Sequence, residues 1–238
     1  MSNDIKNYNK QLRIFAKLED QVNPKTPVEK KMLLYRELYS ELKYCGVFNK
    51  NTLELYTEDI EDLSYLSEAM SDWYIKHIKL SDTSKCINMS FAFKGIKLKF
   101  LEETPEMDTS NVIFMDGAFA GLFSALSVPS YNLSSCRSMK GTFIDIGQYH
   151  ENKGIYTKIG YMDTSNVMDM ECVFIGGVVS IDWEIDMSSC INCSAMLAVR
   201  KSEYPFKLKN VPKNLDLSNI GTDNYIIINY KEDNQDVV

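Results

Sequence analysis

Asp108-Thr-Ser-Asn-Val-Ile-Phe-Met115-Asp-Gly-Ala-Phe119 decides the fold, because the chain repeats it. The frame returns as Asp163-Thr-Ser-Asn-Val-Met-Asp-Met170-Glu-Cys-Val-Phe174 and as Asp82-Thr-Ser-Lys-Cys-Ile-Asn-Met89-Ser-Phe-Ala-Phe93. Asn132-Leu-Ser-Ser-Cys-Arg-Ser-Met139-Lys-Gly-Thr-Phe143 is a fourth copy, and 186–197 is a weaker fifth. Counting the first Asp or Asn as position 0, Ser recurs at +2, an apolar residue at +4, Met at +7 and Phe at +11. Fainter copies start at Asp59, with Leu63, Leu66 and Met70, and at Asp216. Starts at 59, 82, 108, 132, 163, 186 and 216 lie 23 to 31 residues apart, the period of a solenoid repeat.

Each position has a mechanical reading. Intervals of three and four between +4 and +11 predict one face of a short helix. Ser84, Ser110, Ser134, Ser165 and Ser188, just before that face, are expected to cap it. Extended stretches precede the copies: 96–100, 155–159 and 179–183 alternate apolar and polar residues as strands do. One coil is then strand, capped turn and short helix. It cannot bury its apolar face alone, but stacked neighbours can. The expected core is Met89, Phe93, Val112, Met115, Phe119, Met139, Phe143, Val167, Met170 and Phe174.

Outside the repeats, Ile5, Tyr8, Leu12, Phe15, Leu18 and Val22 form a helical stripe that ends at Asn23-Pro24. Thr26-Pro27-Val28-Glu29 opens a second helix with a capping box. Met32, Tyr35, Leu38, Tyr39 and Leu42 lie on its apolar face, and Gly46 stops it. The sequence therefore predicts an α/β repeat solenoid of about seven coils, with short parallel strands, short helices and an N-terminal helical hairpin. Residues 1–55 are the helical segment, either a cap or a docking arm. Residues 56–230 are the solenoid, closed by a strand at 225–230, and 231–238 form an acidic tail.

The phrases DTSNVIFMDGAFAG, DTSNVMDMECVF and DTSKCINMSFAF resemble the BspA-like leucine-rich-repeat family, whose units read roughly D-x-S-N-V-x-x-M-x-x-M-F. The resemblance spans about residues 59–220. It implies a right-handed solenoid with a parallel sheet, used for adhesion and protein binding, usually at cell surfaces.

The residues offer little chemistry. The two histidines, His77 and His150, have no partner at metal-ligand spacing. Cys190-Ile-Asn-Cys193 lacks the second pair of a zinc ribbon and sits at +4 and +7 of its copy. The six cysteines read as small buried hydrophobes. Asn88-Met-Ser90, Asn132-Leu-Ser134 and Asn192-Cys-Ser194 match a glycosylation triplet through the serine-rich frame. Repeated Ser and Asp do not make the single unequal constellation that catalysis needs. No enzyme, cofactor or metal is expected.

Residues 1–50 carry 10 Lys/Arg against 6 Asp/Glu, and the remainder 16 against 27. So acidic a body excludes nucleic acid as the main ligand. The expected role is a protein-binding scaffold, with Tyr131, Tyr149, Tyr156, Tyr161 and Trp183 as candidate contact anchors. The alternative is a structural subunit of a larger assembly such as a phage virion. The N-terminal stretch has no apolar signal core and no run approaches a membrane span. That sets the expectation at cytoplasmic or virion-associated, with the cell surface following only from a trimmed chain. The basic residues are 22 Lys against 4 Arg, which fits an AT-rich bacterial or phage genome.

Overall fold

The computed structural model describes residues 25–31, 33–34, 36, 48–49, 52–55, 57, 60–69, 75–95, 101–221 and 226–231. It is a parallel β-solenoid. Its strands are β1 Phe48–Asn49, β2 Thr52–Leu55, β3 His77–Leu80, β4 Ser127–Val128, β5 Thr157–Ile159, β6 Val178–Ser180, β7 Glu184–Asp186, β8 Lys201–Ser202, β9 Phe206–Val211 and β10 Ile226–Tyr230. The sheets run β1-β2-β3, β4-β5-β6-β8 and β10-β9-β7, and every pairing except β1 with β2 is parallel.

The coils stack most regularly where the sequence repeats best. Single-residue parallel bridges at +6 run Asp62–Asn88–Phe114–Ser138–Asp169–Asn192. The N–H groups at +7, +9 and +11 donate to the next coil: Met115 to Ser138 O, Gly117 to Lys140 O and Phe119 to Thr142 O, at 2.8–3.0 Å. This corrects the expected short helices. In the described residues the stretch from +4 to +11 is a series of turns, because its N–H groups serve the neighbouring coil and not the residue four back. The +9 residue also sits in the left-handed region, at φ 58° in Phe91 and Gly117, 62° in Gly141 and 60° in Cys172, which a helix does not tolerate. A side chain on Gly117 would meet the Phe91 ring of the preceding coil at 2.4 Å.

The letters of the motif each have a partner. The position-0 side chain closes an Asx turn: Asp108 Oδ1 accepts from the Ser110 N–H at 2.9 Å, with the same bond from Ser84 to Asp82, Ser134 to Asn132, Ser165 to Asp163 and Ser188 to Asp186. The expected serine caps are thereby corrected. The carboxylate accepts and the serine donates, and the hydroxyls of Ser84 and Ser188 also point back to Asp82 and Asp186. The Thr at +1 donates forward, as Thr83 does to Asp108 O and Thr109 to Asn132 O, both at 2.8 Å. The Asn at +3 donates backward, Asn111 to Ser84 O at 2.7 Å and Asn166 to Ser134 O at 2.9 Å.

These turns make stability depend on acid. Hydrogen bonds from Ser84, Ser110 and Ser218 hold Asp82, Asp108 and Asp216 below the usual carboxylate range. Burial pushes Asp186 up, yet donors from Ser188 and Asn210 outweigh it and leave it lowered. A carboxylate depressed in the folded state stabilises above its unfolded pKa of about 3.9, and that stabilisation is lost as pH falls through the folded value. The urea midpoint is therefore expected to hold from pH 7 to 5 and to fall below about pH 4. In Asp108→Asn the turn persists, as Asn132 shows, and the acid limb flattens. An unchanged acid limb would remove the carboxylate from the account.

Inside the coils, phenylalanines stack. Phe93, Phe119, Phe143 and Phe174 form successive pairs with centroids 5.6–5.7 Å apart and planes within 10°, and Phe206 follows at 6.0 Å. Beside them Met89, Met115, Met139 and Met170 are buried, with Val112 and Val167. Cys86, Cys136, Cys190 and Cys193 are buried and form no disulfide, whereas Cys172, expected to be buried, is only half-buried; Cys45 lies outside the described residues.

Two register expectations are corrected. The Asp62–Asn88 bridge places Asp62 at +6, so the first frame begins at 56, with Thr57 at +1 and Leu63 at +7. At the far end Lys209 lies opposite Asp186, and the Asp216 carbonyl accepts from Cys193 Sγ. Asp216 therefore stands near +6 of its coil and does not begin one.

Of the strand expected at 179–183 only 179–180 lie in a strand, β6, with 181–183 joining it to β7; of that expected at 155–159, Thr157–Ile159 form β5. The stretch 96–100, the first N-terminal helix and the tail 232–238 lie outside the described residues. Of the second helix, 28–31, 33–34 and 36 are helical, starting after Thr26-Pro27. β10 pairs in parallel with β9.

Candidate partner-binding surface

The side chains left free of core duty begin at +5. There the backbone forms another ladder: Ile113 N–H donates to Ile87 O, Arg137 to Ile113 O, Met168 to Arg137 O and Ile191 to Met168 O, at 2.8–2.9 Å. With +4 and +7 turned inward, +5 and its neighbour +6 face out. Phe114 is 45% exposed, Met168 41% and Ile191 70%, with Ile113 and Ile87 half-buried in line with them. Arg137 interrupts this apolar stripe, its Nη1 donating to Asn166 O at 3.1 Å. Sequence reading missed the stripe because it sought anchors among tyrosines. The signal was present, since Ile, Ile, Met and Ile recur at +5 of four copies.

Of the candidate anchors, Tyr131 is corrected to a core residue. It is 3% exposed, lies 5.7 Å from Phe119 ring to ring, and donates its hydroxyl to Pro105 O at 2.7 Å. Burial raises that hydroxyl well above the ordinary phenol range. Tyr149 is exposed and tilts on Phe123 at 5.4 Å. Tyr161 is exposed and meets Trp183 edge-on at 5.7 Å, while the Trp183 indole N–H donates to Ile159 O at 3.0 Å. Tyr156 is half-buried. These residues therefore do not converge on the stripe as one patch in the sequence frame: they flank positions −14 to −2 of their copies, away from +5.

Chemistry is sparse on this surface. Burial pushes the Cys86 and Cys136 thiols up to about 12, so neither supplies a thiolate near neutral pH. Cys190 is pushed well above its ordinary range by its hydrogen bond with Cys193 and by burial. His150 Nε2 donates to Ser124 O at 3.0 Å. Among the described residues no group of three or more His, Cys, Asp or Glu is placed to hold a metal, and no helix is long and apolar enough to cross a membrane.

No curated protein and no solved structure matches the chain. A family model does, described as "Mycoplasma protein of unknown function, DUF285", over residues 36–156. That span is about half of the sequence and contains the copies beginning at 82, 108 and 132 in full. The match thus takes in three of the stacked D-x-S coils, and the chain belongs to the DUF285 family.

Proposed function

We propose that this chain is a non-enzymatic protein-interaction scaffold. The observation that carries the reading is the stripe of Ile113, Phe114, Met168 and Ile191, apolar side chains held at fixed spacing on a rigid ladder and unused by the core. In this proposal the coils are kin to BspA-like leucine-rich repeats, which present such a surface to proteins. The N-terminal helices form a hairpin over the first coil, and the chain acts in the cytoplasm or within a virion. Lys31 supports the capping role: its ammonium is buried against Asp62, where a preceding coil would otherwise lie.

The test compares retention of partners from a native extract by immobilised wild-type and M168E/I191E protein. Exposed substitutions of this kind shift stability by no more than ~0.5 kcal/mol. The double variant is expected to lose the bound species at least tenfold, while Lys158→Ala retains them. Equal retention by the double variant would reject the stripe as the binding face. A second reading, a structural subunit of a larger assembly, is favoured by β10, the outermost strand of its sheet, which exposes Ile227 and Tyr230. Light scattering over rising concentration separates the two, since self-assembly belongs to the subunit reading.

A further inference from the structure

The coil-to-coil ladder lapses at one seam. His77 and Glu103 are equivalent positions of successive coils, each five residues before an Asp at position 0. Their strands should pair, yet no backbone hydrogen bond joins β3 to Glu103–Glu106. β3 is the outer strand of its sheet, and Glu103 bridges only forward, to Ser127. The seam is closed at one end by Glu102 N–H to Lys76 O and by the Lys76–Glu102 ion pair at 2.6 Å. At the other end Thr83 Oγ1 donates to Asp108 O.

The cause is in the sequence. Pro105 has no N–H to offer β3, and its carbonyl is drawn inward by the Tyr131 hydroxyl. Tyr131 also holds Thr104 Oγ1 at 2.9 Å, fixing that wall to the next coil. What remains is a cleft of ≈ 570 Å³ with the outer edge of β3, where no described backbone group pairs with Ile78 or Leu80 across the seam, on one side and Glu103–Glu106 on the other.

We propose that this seam binds an extended basic peptide by strand addition to β3. The opening is about four residues long, a length over which main-chain pairing confers affinity. Charge selects the occupant. Glu103 and Glu106 line the opening and Asp82 and Asp108 line the adjoining cleft beyond Leu80, all four exposed, against Lys79 and His77. A strand with Lys or Arg at alternate positions places its cations beside these carboxylates while its backbone pairs with β3. The proposal rests on the reading of the chain as an interaction module. Its test lies at Glu103 and Glu106, whereas that of the module lies at Met168 and Ile191, so either can fail alone.

The experiment titrates fluorescein-labelled acetyl-Lys-Val-Lys-Val-Lys-Val-amide into the full chain and reads anisotropy, with the Glu-Val analogue as control. Saturable binding of the Lys peptide is expected, weakened at least tenfold by E103K/E106K and by raising salt from 50 to 500 mM, with roughly such loss set by several screened contacts. Bound peptide should slow hydrogen exchange at the β3 amides that face the seam. Equal binding of both peptides, undiminished binding to E103K/E106K, or binding without protection of β3 would overturn the proposal. So would a dimer of the free chain that E103K/E106K dissolves, because a second copy would then occupy the seam.

Discussion

Phe119→Ala is expected to destabilise the solenoid by about 3–5 kcal/mol, measured as the shift in a urea or thermal unfolding transition. Phe119 is fully buried and stacks on Phe93 before it and Phe143 after it, with Tyr131 beside it at 5.7 Å. Truncation removes the transfer free energy of the ring. It also opens a cavity that cannot collapse, because ladder bonds on both sides hold the coils at fixed separation. Lost ring–ring contacts add roughly 0.5–1.5 kcal/mol per pair. The control is Phe114→Ala, five residues away but 45% exposed, which should cost well under ~1 kcal/mol. A loss for Phe119→Ala no larger than that of the control would refute the stacked core.

The central copies were legible because one letter in each carries one contact. In Asp-Thr-Ser-Asn-Val the Asp closes a turn, the Thr reaches forward, the Asn reaches back and the Val is buried, so matching letters mean matching geometry. The Thr and Asn roles were not anticipated, since both reach into neighbouring coils and a single copy does not show its neighbours.

Register failed at the C-terminal end for a physical reason. Four of the coils hold a second Asx turn at +6 and +8: Asp62 with Ser64, Asn88 with Ser90, Asp169 with Glu171 and Asn192 with Ser194. An isolated D-x-S therefore has two possible places. Without Met and Phe behind it, Asp216-Leu-Ser218 was assigned to the wrong one, although its turn does form at 2.8 Å. The short helices were misread because spacings of three and four also arise when successive turns point every third or fourth side chain inward. Only backbone donors show which applies, and here they leave the coil. Tyr131 misled because its ring is core while its hydroxyl does polar work out of sight of the sequence, at Pro105.

Lys31→Met is expected to cost about 3–5 kcal/mol, because it leaves the Asp62 carboxylate buried without its cation. The Lys31 ammonium and the Asp62 carboxylate are 4% and 0% exposed, and Lys31 Nζ also lies 3.1 Å from Ser64 Oγ. Asp62 cannot simply turn to water, since its Oδ1 accepts the Ser64 N–H at 2.9 Å within the +6 ladder. A double variant, Lys31→Met with Asp62→Asn, removes the orphaned charge and keeps the Asx turn, as Asn88 does one coil later. It should recover a large part of the loss, so the two substitutions are strongly non-additive. Hydrogen exchange locates the effect: Leu63, Tyr65 and Ser67 donate to the next coil and should lose protection first in Lys31→Met, while Phe143 and Phe174 keep theirs. If residues 26–36 were instead an arm docked elsewhere, Lys31→Met would behave as the loss of a surface pair and cost no more than about 1 kcal/mol. That outcome would separate the helix from the stack and return it to the role of a partner-binding arm.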